Sequence, residues 1–561
     1  MDRGSGRRND EGLALMLATI FLMVATILLG AISMRVIQHG RQVDVFVQFR
    51  ECMFGAETAV AFAIMDLEEG GDGSIGIGTW EPPELETPSV IPPLPDFDDD
   101  RVAPESLPSM PRVEFMALTQ HWADDGLDNN GDGIVDDPAE DRMFTIYGLG
   151  REGSIVRTIE VMVRGDDLSI WRNAVFAGSG QTGGLINGNV GIRGSVHLLG
   201  DELAEGVEAV TAIDMSGTSL IRNNYLGLPT DLRERIPEPP RRIWNGEDVE
   251  TLNATLRVKR GLVGMSGNSK VGEPDMSGNE LKETLDGTYV TDGWSGNSVI
   301  DDGDRGDPTM VWSDNGWDEP YDLGDRISLP FLADDWREMG TGERLLNPWT
   351  GSWFSHEHYF DLISGVRYPG NLTINCAQNF YYNASRPTDP NPANRTAGDD
   401  YILFNAATNV LEVNGQIEVN GNLTFRRGSG NDRTIHYRGR AAILARGDVI
   451  IDTDLLAQNA DGSTVGSFPA NNILGIMATG NMTLGSASQL RMMGAFYAQG
   501  TVRSAKQTIT VGTLVGNYFD MGSNVPEIYQ VPPLADNLPY GMIGAYPILV
   551  YSQISWRELG G

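Results

Sequence analysis

The run Asp128-Asn129-Asn130-Gly131-Asp132-Gly133-Ile134-Val135-Asp136-Asp137 carries the residue types and spacing most able to do chemistry in this chain. Side-chain oxygens recur at Asp128, Asn130, Asp132 and Asp136, a glycine permits the sharp turn, and the Ile134 carbonyl adds a further ligand. Such spacing lets one short loop gather hard oxygens around Ca²⁺. Calcium is therefore the expected cofactor, in a structural role, because nothing nearby offers a nucleophile or a base. The twelfth loop position is Ala139 and Glu140 falls one late, so the bidentate glutamate of a complete EF-hand is missing. An Asx-rich surface turn uses the same residues and stands as the alternative.

Other motifs carry less. His356-Glu357-His358 offers two imidazoles but no identifiable third ligand, and reads as a surface strand. Arg305-Gly306-Asp307 follows Asp301, Asp302 and Asp304 and reads as an acidic loop rather than an adhesive tripeptide. No pair of carboxylates is selected by spacing, so no catalytic residue is assigned and the protein is expected not to be an enzyme. The calcium run resembles the D-x-N-x-D-G-x-x-D loops of thrombospondin type 3 repeats and dockerins.

The elements that must carry these residues follow from composition. The chain has 561 residues, 77 acidic against 41 basic, for a net charge of −36. That balance gives no attraction to nucleic-acid phosphates, and no nucleic-acid partner is expected. Glycine, 68 residues, is well above the usual share and points to many tight turns between short strands. Cys52 and Cys376 lie far apart in sequence and read as two thiols rather than a bridge.

Leu13 to Met34 is an uncharged run of 22 residues, enough as a helix to span a hydrocarbon core of about 30 Å. Arg3, Arg7 and Arg8 before it are matched by Arg35, Arg41 and Arg50 after it, so charge does not set its orientation. Beyond it Phe46, Phe49, Met53, Ala56, Val60, Ala63 and Leu67 recur at steps of three and four, an apolar stripe on one continuing helix that Gly70-Gly71 should stop. The stripe is expected to pack against partner helices.

A hydrophilic leader ending at Gly12, an apolar run opening Leu13-Ala14-Leu15, and the continuation Phe54-Gly55-Ala56-Glu57-Thr58-Ala59 together resemble type IV pilins, most of all PilX-type minor pilins. The resemblance implies cleavage after Gly12 by a prepilin peptidase and methylation of the new Leu13 amine. It also implies residence in the inner membrane before assembly, then export to an extracellular pilus on the cell surface beside other pilins. Leu17 stands where major pilins carry a glutamate that pairs with a neighbour's terminal amine. In the family that absence is typical of tip-type minor pilins and of their type II secretion counterparts.

The rest divides by composition. Residues 70–112 hold nine prolines and read as a linker or irregular wrap. Residues 113–165 read as a small β region, with Met143 to Tyr147 and Ile155 to Val163 as an antiparallel hairpin of the kind pilins lay against their helix. From 166 to 561 the unit G-[ND]-apolar-x-apolar recurs at Gly188-Asn189, Gly370-Asn371, Gly421-Asn422, Gly447-Asp448 and Gly480-Asn481. Leu411, Val413, Gly415, Ile417, Val419, Gly421, Leu423 and Phe425 keep one parity. Corners followed by short strands predict a parallel β-solenoid, with a hairpin-rich β-sandwich as the alternative.

The expected fold class is thus mainly β with a long N-terminal α-helix: leader 1–12, pilin-like transmembrane helix 13–69, linker 70–112, small sheet 113–165 and a large β head 166–561. The expected function is that of a structural minor pilin-like subunit at the tip of a type IV pilus or pseudopilus, presenting its head to a surface glycan or protein. A membrane-anchored adhesin that does not polymerise, and a β-helical polysaccharide-binding or polysaccharide-degrading protein, are the alternatives. Trp312, Trp317, Trp336, Trp349 and Trp353 on one face would favour adhesion.

Overall fold

Helix α1 (Gly6–Glu68) runs unbroken for 63 residues, roughly 95 Å at the usual rise. It holds no proline. The structure, a computed structural model, describes residues 6–68, 72–80, 92–122, 127, 143–180, 186–188, 190–201, 203, 210–296, 309–324, 327–330, 332, 366–383, 399–427, 434–486, 489–522, 526–544 and 549–559. Among the described residues the protein is mainly β after this long helix.

Two compact units emerge: Met1–Asp167 with Ile548–Gly561, and Leu168–Pro547. In the first, β1 (Glu105–Leu107), β2 (Met110–His121), β3 (Met143–Glu152) and β4 (Ile155–Asp167) form an antiparallel sheet in chain order. The anticipated hairpin is β3–β4, turned at Gly153. The C-terminal strand Leu549–Leu559 then joins the sheet beside β4, antiparallel to it, with Leu549 opposite Asp167. This corrects the expected boundary, since residues 549–559 belong to the small sheet and the large unit is an insertion between two of its neighbouring strands. Parity alone could not have placed that strand, because its partner lies nearly the whole head away in sequence.

The sheet is covered on both faces. One face meets α1 through Phe115, Ala117, Ile146, Ile159, Val161 and Val163. The other packs Met116, Leu118, Tyr147 and Leu149 against Trp80 and Phe97. The described part of the proline-rich stretch is therefore a wrap and not a free linker. Its backbone is tied to the sheet where Ile75 and Ala117 exchange hydrogen bonds of 2.9 and 2.8 Å.

In the second unit most short strands pair in parallel; the antiparallel pairs among the described residues are Arg241–Trp244 with Glu247–Glu250, and Tyr401–Asn405 with Phe380–Asn383 and with Val410–Val419. One register column runs Leu372, Leu423, Val449, Met482, Val502, Phe519, Ile186, Ile213, Val263, Trp294. All ten are buried, and each such side chain is worth about 1.5–3 kcal/mol against leaving it in water. The sequence order is broken in the middle of this column. Leu514, Val515 and Gly516 pair with Val175, Phe176 and Ala177, so the last-made layers sit directly on the first. Entry and exit of the inserted chain consequently adjoin within the stack.

Both cysteines are free and buried. The Cys52 thiol donates to the Ile155 carbonyl at 3.3 Å, and burial raises its pKa.

Candidate functional site

Every residue from Leu15 to Val47 is exposed except Ala25, which is half-buried. Leu15 is 72% exposed and Phe21 78%. A bare apolar helix surface of that length is costly in water and is long and apolar enough to cross a membrane.

Past Val47 the helix meets the sheet. Ala56, Ala59, Val60, Ala63 and Leu67 are buried against it, with Met53 partly so. Small residues on α1 face glycines on β3, and this brings backbone close to backbone. A Cβ added at Gly148 would come within 3.0 Å of the Ala56 carbonyl oxygen, and one at Gly150 within 3.0 Å of the Cys52 carbonyl oxygen. Only glycine leaves room for that approach. In the sequence these glycines read as part of a hairpin pattern; their role shows only once the helix lies across β3.

At the point where the helix leaves the sheet, cations cover its aromatics. The Arg157 guanidinium sits 4.1 Å from the Phe49 ring centroid and pairs with Glu558 at 2.8 Å. Arg50 lies 5.3 Å over Phe54 on the helix itself. Glu152, at the end of β3, is buried with Oε2 lacking a hydrogen-bond partner. Burial, followed by the neighbouring Glu51 carboxyl, raises its pKa.

The stripe anticipated for partner helices is thus divided. Ala56, Val60, Ala63 and Leu67 are spent on the chain's own sheet, Met53 and Phe49 are half-covered, and Phe46 is 72% exposed. This is a correction: periodicity identifies an apolar stripe but not which surface buries it. The part left uncovered is Phe46 and the apolar run before it.

Gly12 and Leu13 lie within the backbone of α1. The calcium candidates Asp128, Asn130, Asp132, Ile134 and Asp136 lie outside the described residues, as do His356 to His358, Arg305 to Asp307, Trp336, Trp349 and Trp353. Trp312 and Trp317 are half-buried. The Trp317 carbonyl accepts from the Trp294 indole at 3.1 Å, so that part of the chain is engaged with the head itself.

No family model matches the chain, and no curated protein matches it. Among solved structures, the crystal structure of competence-associated pilin ComZ from Thermus thermophilus is similar, with 18% sequence identity and a TM-score of 0.48, over 81% of this chain and 86% of that one.

Proposed function

We propose that this protein is a membrane-anchored, pilin-like structural subunit of a type IV pilus or pseudopilus, a minor component placed at the tip that presents its large β head to a surface glycan or protein. The observation that carries the reading is the division of α1. Its first half is apolar and bare, while its second half is clamped to an antiparallel sheet by close backbone contact at Gly148 and Gly150. Such a helix can reside in a bilayer before assembly and pack among other apolar helices afterwards. The leader ending at Gly12 supports processing by a prepilin peptidase, and Leu17 supports a terminal place in the filament. In a shaft, bulky heads crowd their neighbours; at an end they do not. The head is read as a parallel β-solenoid and its role as binding rather than catalysis, with calcium structural in the loop Asp128 to Asp137.

N-terminal peptide mass spectrometry on membrane and sheared-surface fractions tests this. A mature start at methylated Leu13 in the sheared fraction is expected. An intact leader confined to membranes would leave a static anchored protein and overturn the reading.

A further inference from the structure

In the strand Val196–Leu198 the flanking residues Val196 and Leu198 point into the core and are fully buried. Alternation must then turn His197 outward, in register with Phe176 on one neighbouring strand and Arg257 on the other. Yet His197 is only 2% exposed. Its cover comes from residues 317–324, whose Tyr321 hydroxyl lies 2.8 Å from His197 Nε2 with the rings 5.6 Å apart, while the chain just before them, Val311 and Ser313, is bridged into the stack at Val271 and Leu285. The Phe176 ring closes the other side at 5.0 Å.

The same segment is held beside this contact by Asp322, which pairs with Arg257 at 3.0 Å. Its backbone is tied down where Glu319 accepts from Val290 N at 2.8 Å and where Tyr321 N donates to Thr291 Oγ1 at 3.2 Å. Among the described residues, the charged and titratable groups around the imidazole are Arg257, Lys259, Tyr321, Asp322 and Asp201. Each carboxylate already has a cation, since Asp322 takes Arg257 and Asp201 takes Lys259 at 2.9 Å.

We propose that His197 is an acid-sensitive latch: neutral, it anchors residues 317–324 over the outer face of the head, and protonated, it releases that segment. A proton on His197 leaves Nε2 able only to donate to Tyr321 and, more consequentially, buries a third cation beside Arg257 and Lys259, whose described carboxylate neighbours Asp322 and Asp201 are already paired. Opening the segment returns that charge to water. Burial first, then Arg257 and Lys259, hold the imidazole well below its ordinary range. The closed form is accordingly fully favoured above the ordinary histidine value and loses ground as pH falls below it. Over that window the open-to-closed ratio grows about tenfold per pH unit. In a surface-exposed head this would make the outer face respond to external acidity.

Hydrogen–deuterium exchange of the full chain, from about pH 7.5 to about pH 5 and corrected for intrinsic rates, tests the latch. Peptides from residues 317–324 should lose protection progressively, while those from Ile473–Ala478 in the stack stay protected. His197→Gln should abolish the acid response, and Tyr321→Phe should raise exchange of the segment already at neutral pH. An unchanged segment in the natural protein, the same acid response in His197→Gln, or loss of protection in both regions with one midpoint would each overturn the proposal.

Discussion

Asn371 Oδ1 accepts a hydrogen bond of 2.8 Å from the backbone N of Asn422, the equivalent residue one layer further along the stack. The relationship repeats: Asn422 Oδ1 accepts from Asp448 N at 2.9 Å, Asp448 Oδ1 from Asn481 N at 2.8 Å, and Asn481 Oδ1 from Thr501 N at 2.9 Å. Each corner side chain therefore satisfies a donor that a tight turn would leave to solvent. The glycine before each donor has its own reason. A Cβ on Gly421, Gly447, Gly480 or Gly500 would come within 3.0 Å of the amide or carboxylate oxygen of the layer before. The G-[ND] repeat is this ladder written in sequence.

Gly447→Ala should consequently destabilise the head by about 1–3 kcal/mol, because the methyl displaces the Asn422 side chain from its bond to Asp448. Asn422→Ala removes the acceptor without the clash and should cost only about 1 kcal/mol. Chemical denaturation of the two variants in parallel measures the difference. Equal effects would mean that steric closeness at the glycine is unimportant.

At the helix–sheet contact, Gly150→Ala should force α1 away from β3, since the added methyl meets the Cys52 carbonyl and not a movable side chain. A cost of about 1–3 kcal/mol is expected. Alkylation of the Cys52 thiol, buried in the natural protein, should quicken in the variant at pH values where Gly153→Ala, at an open turn position, serves as the control for backbone strain alone.

Glu152 gives the small unit a pH dependence of definite sign. Its folded pKa is raised above 4.5 by burial and then by Glu51, so the folded form binds the proton more tightly than the unfolded chain. The associated stability is complete below the ordinary glutamate value and is lost as pH rises through the folded one. Glu152→Gln should therefore stabilise the unit at neutral pH and flatten the acid-side slope. Urea unfolding at a series of pH values, followed through peptides of β3 and β4, reads this directly.

If the loop from Asp128 to Asp137 holds calcium, the metal should raise the melting temperature of the natural protein in proportion to the logarithm of its concentration once binding saturates. Asp132→Ala should remove that dependence, and chelator should lower the melting temperature of the natural protein to that of the variant. Identical calcium titrations for the two proteins would place the site elsewhere.

Local order in the sequence reached a long way. The uncharged run Leu13 to Met34 and the stripe after it gave one continuous helix, and alternation around Gly148 and Gly153 gave the β3–β4 hairpin. The corners Gly370-Asn371 through Gly480-Asn481 marked where strands of the head begin. These features depend on residues a few places apart, whose periodicity and turn chemistry act before any distant contact forms. Long-range pairing is a different matter. That Leu514 lies on Val175, that Leu549–Leu559 returns to β4, that Ala56 to Leu67 is spent on the chain's own sheet, and that Tyr321 covers His197 all depend on surfaces hundreds or scores of residues apart, or on different elements. Apolar burial is non-directional and many pairings satisfy the same pattern, so only simultaneous packing in three dimensions selects one.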